Sequence, residues 1–452
     1  MLYHSNSIFK YIALVSKKRI LQESFSSSSN VPLFITKSKC RQELFFNRYI
    51  FAIQYHGKYF LGFPRLKHET DQGDNNFKEN ENLPPSVEQC LHQALTKLVG
   101  ENNFENIQVS SRTDAGVHAL WNTFHVDIRP RSKRKKKENV DMETIVYDDI
   151  ATQKNWDIKD LVNGLNYYLR RNQSREHLQN NSLHQPLYPY PQPNQNPFLR
   201  VIHATKAPQY IQNRFHEQFP NQPKLVDWHA RHNAYERTYI YRIIVTTPDA
   251  TSAEWSIPFE FQTSWRVYVS ENNKSQDHVK NIQTDENPEA YMPRLLDIDE
   301  MKRAAYVLKG THDFSAFRGK KCQRSSPVVY LKDIKVIQET PPSIFSSFPN
   351  ANNSSNRQQH INIQVIGNAF LYRQVRNMVG CLVEIGKGNL SVSDVTNILL
   401  HGKPFDKSSK TAVAPAHGLY LANVKHEQVS DPLFGIDGFY DRLNDGRFIK
   451  EL

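Results

Sequence analysis

The stretch VSSRTDAGVHAL, Val109–Leu120, sets one carboxylate, Asp114, between the cation Arg112 and the glycine Gly116. A turn needs only the glycine. An aspartate in such a place is most often a cap or turn residue. Three features favour a chemical role here. A neighbouring arginine favours the charged form of a carboxylate. The glycine allows close backbone approach. The chain around it is basic, so a lone acid in cationic surroundings has a use for its charge. A carboxylate can act as a covalent nucleophile on a sugar or on an electrophilic base carbon.

Upstream of this stretch, NIQV reads as a strand running into the loop; downstream, NTFHVDIRP reads as the next strand. Further back, RYIFAIQYHGKYFLGF (Arg48–Phe63) is rich in β-branched and aromatic residues. It reads as a strand, a turn at His56-Gly57 and a second extended piece. PPSVEQCLHQALTKLVG opens on Pro-Pro-Ser, repeats Val87, Leu91, Ala94, Leu95 and Leu98 at helical spacing, and closes on Gly100. Asp157–Tyr168 has a helical pattern.

The second half continues in the same style. ERTYIYRIIV (Glu236–Val245) is a strand. DIDEMKRAAYVLKG is a helix with an Asp cap. VYLKDIKVIQ and HINIQVIGNAF are strands, and VRNMVGCLVEIGKG is a helix with a Gly stop. Strands in antiparallel style mixed with helices define an α+β protein. Polar inserts interrupt it: Lys67–Leu83, the basic run RPRSKRKKK (Arg129–Lys137), and the Gln-, Asn- and Pro-rich Asn172–Asn196.

The 452 residues carry a net charge of +11, which favours an anionic partner, most commonly nucleic acid. The four cysteines, Cys40, Cys90, Cys322 and Cys381, are scattered without a C-x-x-C pair. That spacing argues against a zinc site on paired cysteines and against a disulfide framework. No apolar run approaches the ~18 residues of a membrane span. From Met1 to Gln22 there is no acid, while Lys10, Lys17, Lys18 and Arg19 are cationic and serines follow. This is the composition of a mitochondrial transit peptide.

Other stretches interleave arginine with aromatic residues: DWHARHNAYERTYIYRI (Asp227–Ile243), GTHDFSAFRG (Gly310–Gly319) and FLYRQVRNMVG (Phe370–Gly380). Bases stack on rings and on guanidinium planes, so the pattern suits RNA.

Taken together these strings resemble one family. RTDAGVHA is similar to the catalytic loop of the TruA-type tRNA pseudouridine synthases. YHGKYFLGF, WHARHNAYERTYIYRI, GTHDFSAFR, NAFLYRQVRNMVG and APAHGLYL resemble the family's other segments, in family order, from Tyr49 to about Val424. The resemblance implies a pseudouridine synthase fold: two α/β subdomains, with mixed, mainly antiparallel sheets flanking a central basic RNA-binding cleft. It divides the chain into a transit-like segment (1–47), catalytic subdomains at 48–226 and 227–425, and an extension (426–452). It implies an isomerase acting on uridine in RNA, most commonly in the anticodon stem-loop of tRNA, as a homodimer without metal or other cofactor.

By the same resemblance Asp114 is the nucleophile, attacking the ribose C1′ or base C6. Arg376 pairs with it, Arg112 helps extrude the nucleotide and Tyr239 packs on the base. Departures from the family pattern are His232-Asn233 for Phe-Ser, Phe63-Pro64 for Trp-Gln, and Ser111 for Gly. The divergence and the transit-like start resemble the mitochondrial-type branch. A metal-dependent deaminase would need P-C-x-x-C, which is absent. The rival reading is a protein of the same fold that binds RNA without turnover.

Overall fold

The computed structural model describes residues 46–64, 84–131, 154–170, 198–208, 211–212, 225–246, 263–269, 295–320, 322–339, 358–401 and 413–434. The transit-like start, the inserts at 67–83 and 172–196, the basic run beyond Arg131 and the chain after 434 lie outside the described residues. Along the chain come β1 (Asn47–Tyr55), α1 (Val87–Val99), β2 (Phe104–Val109), β3 (His118–Ile128), α2 (Ile158–Arg170), β4 (Leu199–Lys206) and the two-residue strands β5 (Ile211–Gln212) and β6 (Leu225–Val226). Then follow β7 (Ala234–Thr246), β8 (Trp265–Tyr268), α3 (Ile298–Val307), β9 (Gly310–Asp313), β10 (Val328–Glu339), β11 (Gln358–Gly367), α4 (Gln374–Gly386), α5 (Val392–His401) and β12 (Leu419–His426).

The helix starts are set by local side chains. Ser86 Oγ accepts from the Gln89 N–H at the head of α1. Asp157 accepts from Lys159 N–H at 2.8 Å ahead of α2. Asp297 accepts from the N–H groups of Asp299 and Glu300 at the head of α3. Gly100, at φ 94°, ends α1 in a conformation that a side chain would resist.

The protein is α+β, built on one mixed and mostly antiparallel sheet in the order β4-β1-β3-β12-β7-β11-β10-β9. β2 also pairs with β3, and β8 with β7. The separate sheets expected for the two halves of the sequence are a single sheet. The reason is β12. The last strand in sequence order lies between the halves, parallel to β3 on one side and antiparallel to β7 on the other.

Every residue of β12 is buried, as expected of a strand covered on both faces. On one face Phe51 stacks on Phe124 at 5.1 Å, under α1 and α2, and the core continues under α3 and α4. The other face of β1 is covered by a second cluster that includes Ile50, Trp121, Trp228 and Phe434.

Candidate active site

The edge of β3 is divided between two strands. β2 pairs with its C-terminal part, from Val109↔Phe124 to Phe104↔Ile128. β12 takes its start, at His118 and Ala119. The chain from Ser110 to Val117 leaves the sheet at this fork. A loop there cannot join the ladder, so other groups must hold its backbone.

They do so along its length. Ser110 N–H donates to Thr123 O at 2.9 Å. Asn122 Nδ2 donates to Ser111 O at 2.9 Å. Tyr55 and Thr113 share a hydroxyl hydrogen bond at 2.8 Å. Under the loop, Thr123 Oγ1 contacts His426 Nε2 at 2.7 Å and also the Ser110 hydroxyl. Beyond it, His118 Nδ1 accepts from Gly57 N–H at 3.1 Å, which leaves the proton on Nε2 to donate to His417 O at 3.0 Å.

Two glycines in YHGKYFLGF explain that motif physically. A Cβ on Gly57 would lie 2.3 Å from the backbone carbon of Val117, and one on Gly62 would lie 2.5 Å from Thr113 O. The 57–62 turn backs directly onto the loop, and only glycine fits.

The site residues gather at one cavity of about 1110 Å³. Asp114 Oδ2 lies 3.0 Å from Arg376 Nη1, and their side chains are 21% and 13% exposed. The guanidinium does not grip the carboxylate with both arms, because Arg376 Nε donates to Ala414 O at 2.7 Å instead. Asp114 Oδ1 takes no hydrogen bond among the described residues. Arg376 stands in the first turn of α4. The preceding Arg373, at φ 61°, turns the chain into that helix in the left-handed region.

Arg112, the loop's own arginine, also lines the cavity but bonds to Gln323 rather than to Asp114. It is exposed and donates to Gln323 Oε1 at 3.2 Å. Tyr239 is 6% exposed, meets Phe370 edge-on at 5.0 Å and shares a 2.9 Å hydrogen bond with the Ser111 hydroxyl. Burial raises its phenol pKa, and the Ser111 bond opposes that in part.

Two of these features were not read from the sequence. One is the Ser111–Tyr239 contact, although Ser111 stood out as a departure. The other is Arg237, which has no carboxylate among its hydrogen-bond partners. Its two terminal nitrogens donate to the carbonyls of Ala234, Asn368, Ser110 and Arg231 at 2.5–3.1 Å. Burial lowers its pKa to about 10, so it remains a cation at neutral pH. The signal was there in ERTYIY. Arg237, Tyr239 and Tyr241 sit two apart and face one side of β7.

Among the described residues lining the cavity, Asp114 is the sole acid and the cations are Arg112, Arg231, Arg237, Arg324, Arg373 and Arg376. A guanidinium both neutralises phosphate and offers a flat face to a base. No cluster of three or more His, Cys, Asp or Glu side chains among the described residues could hold a metal. No described helix is long and apolar enough to cross a membrane.

Comparison with known proteins finds similar chains of one kind. The tRNA pseudouridine synthase family model matches residues 304–427, which include Arg376. A tRNA pseudouridine synthase A of Ruegeria sp. is 26% identical over 392 residues, 86% of this chain and 98% of its own. That of Ehrlichia chaffeensis is 25% identical over 379 residues, 84% of this chain and all of its own. Human tRNA pseudouridine synthase-like 1 is 29% identical over 340 residues, 75% of this chain and 80% of its own. The chain is thus similar to the TruA-type tRNA pseudouridine synthases.

Proposed function

We propose that the protein isomerises uridine to pseudouridine in tRNA, with Asp114 as nucleophile. The observation that carries this reading is the Asp114 carboxylate, the one acid among the described residues of an arginine-lined cavity, held by Arg376 at one oxygen and open at the other. The open oxygen attacks the ribose C1′ or base C6 of a nucleotide drawn out of its stack. The bond from N1 to C1′ breaks, the uracil turns, C5 bonds to C1′, and the bond from Asp114 to C1′ or C6 breaks to restore the carboxylate. C5 loses a proton and N1 gains one, so atoms and electrons balance without an external reagent.

Arg376 keeps the charge on the attacking group. Tyr239 offers its ring to the base, and Arg112, at the exposed rim, helps hold the nucleotide out. The cavity exceeds the ~300–1,000 Å³ of ordinary small-ligand pockets, enough for a nucleotide and its phosphates.

The same reading places the target in the anticodon stem-loop, with two copies of the chain forming a basic cleft around the RNA. The run at Arg129–Lys137 adds phosphate contacts whose strength falls with salt. The acid-poor start directs the protein to mitochondria. A reporter fused to residues 1–30 that stayed in the cytosol would refute that last point, and a monomer mass by light scattering at micromolar concentration would refute the dimer.

The central test is to map pseudouridine in RNA from cells with and without the protein, then to repeat the reaction with purified protein. A uridine that loses its modification in the absence of the protein, and regains it with wild type but not with Asp114→Asn, supports the reading. Tight RNA binding without product would leave an RNA-binding protein instead.

A further inference from the structure

A second cavity, of about 510 Å³, lies on the other side of the catalytic loop. Gly116 belongs to its wall, with Lys58, Trp265, Arg266, Tyr268 and His417. Asp114 and Ala115 line the first cavity, so the loop itself separates the two. Gly116 follows Asp114 by two residues. Two Cα steps span at most about 7.6 Å, roughly two stacked nucleotides at ~3.4 Å rise each.

The lining has the chemistry of a single-strand nucleic-acid site. Tyr268 is a large aromatic side chain left 54% exposed. It stands two residues from Arg266 on β8, so ring and guanidinium share one face of the strand. Trp265 is braced edge-on against the buried Tyr241, with ring centroids 6.1 Å apart. Lys58 brings a second cation from the 57–62 turn. None of the described lining residues is acidic. Rings that present a face to solvent beside cations stack bases without regard to sequence and hold the phosphate between them.

We propose that this cavity is a subsite for the RNA strand flanking the reacting nucleotide: Tyr268 stacks the neighbouring base, while Arg266 and Lys58 hold its phosphate. The inference rests on the reading of the Asp114 cavity as the reacting site. A flanking base held behind the loop anchors the strand, so that the target nucleotide, one step on, is presented to Asp114. The observations favour RNA over an acidic protein, because the exposed groups are a flat ring and its cations, continuous with the wall of the site.

The test uses the full chain and a synthetic anticodon stem-loop RNA containing the mapped uridine. Tyr268→Ala is the variant of choice, since an exposed ring is removed without opening the core. We expect it to weaken RNA binding about tenfold. RNA with an abasic residue directly 5′ or directly 3′ of the target should lose a similar factor with wild type in one of the two cases, and nothing further with Tyr268→Ala. Arg266→Gln should flatten the salt dependence of binding. Unchanged binding by Tyr268→Ala overturns the proposal, as do losses that simply multiply between variant and abasic RNA. A change of the protein's mass from dimer to monomer in Tyr268→Ala also overturns it, making the cavity an interface between copies. If wild type binds with the expected coupling but forms no pseudouridine, the subsite stands and the isomerase reading falls.

Discussion

Two aspartate–arginine pairs among the described residues, Asp127–Arg48 and Asp114–Arg376, are built in opposite ways. Asp127, on β3, is saturated. Arg48 Nε and Nη2 donate to its two oxygens at 2.6 and 2.7 Å, and Asn106 Nδ2 adds a third bond at 2.8 Å. Arg48 spends its remaining arm on Trp228 O. Burial pushes the Asp127 carboxyl up, but the bonds from Arg48 and Asn106 outweigh it and leave it below the usual range. Asp114 has a single 3.0 Å contact to Arg376 and a free oxygen over a cavity. A carboxylate with both oxygens engaged offers no free oxygen for attack. The incomplete pair leaves an oxygen for the proposed attack, and the complete one ties β1, β3 and the Trp228 segment together.

The largest effect that could break this contrast is on chemistry. Asp114→Asn should lower the single-turnover rate by about 10⁴-fold or more, as removal of a nucleophile does elsewhere, with RNA binding retained. Asp127→Asn should leave the saturating rate near wild type. Appreciable turnover by Asp114→Asn would end the assignment.

Stability should divide the other way. Breaking a buried pair strands its partner, at a cost of about 3–5 kcal/mol. Urea denaturation of Asp127→Asn should show a loss of that size. Asp114→Asn should show less than about 1 kcal/mol, since one oxygen is open and the pair is partly exposed. Arg376→Met should cost about 10²–10³-fold in rate and Arg376→Lys less, because lysine keeps the charge but not the second bond to Ala414 O.

A pH series sharpens the account of what supports the loop. His426, under Ser110, and His125 are buried, which lowers each to a pKa of about 3. Unfolded histidine titrates near 6.5. Above that value neither state takes a proton at these sites. Below it the unfolded chain takes protons that the folded one refuses, so stability falls as pH drops from about 6.5 towards 3. Each histidine contributes a slope of up to about 1.4 kcal/mol per pH unit. His426→Gln should remove one histidine's share between pH 6 and 4. An unaltered slope would show that His426 is protonated in the folded protein.

The smallest effect concerns Ser111→Gly, which restores the family residue and frees the Tyr239 hydroxyl. One such hydrogen bond is worth about 1 kcal/mol, so the rate should fall about fivefold or less while binding holds. If Tyr239→Phe and Ser111→Gly each have this effect but together no more than one alone, the contact is the shared cause.

The Asp114–Arg376 pair was legible in the sequence and the Asp127–Arg48 pair was not. Asp114, Tyr239 and Arg376 each lie in a string of unusual composition, and the strings together carried the resemblance. Arg48 and Asp127 lie in ordinary strand text, where nothing separates an inward carboxylate from an outward one. Caps at Ser86 and Asp297 could be read because capping is local. The place of β12 could not. A strand buried on both faces has no alternation, and its parallel partner, β3, lies about 300 residues earlier in the chain. The one-armed grip of Arg376 was also beyond reach, because the second arm is claimed by a carbonyl in a distant segment.

The position of β12 bears on how the protein is made. During synthesis β3 and β7 leave the ribosome long before Leu419–His426 exists. Until then the β7 edge from Ala234 to Tyr241 lacks its neighbour, and an unpaired edge invites other strands. His426, the prop beneath Ser110, arrives with the same strand. The two half-sheets and the loop between them are therefore completed in one late event. A ribosome stalled before residue 419 would hold a chain that carries Asp114, Tyr239 and Arg376, yet has no closed sheet on which to assemble them.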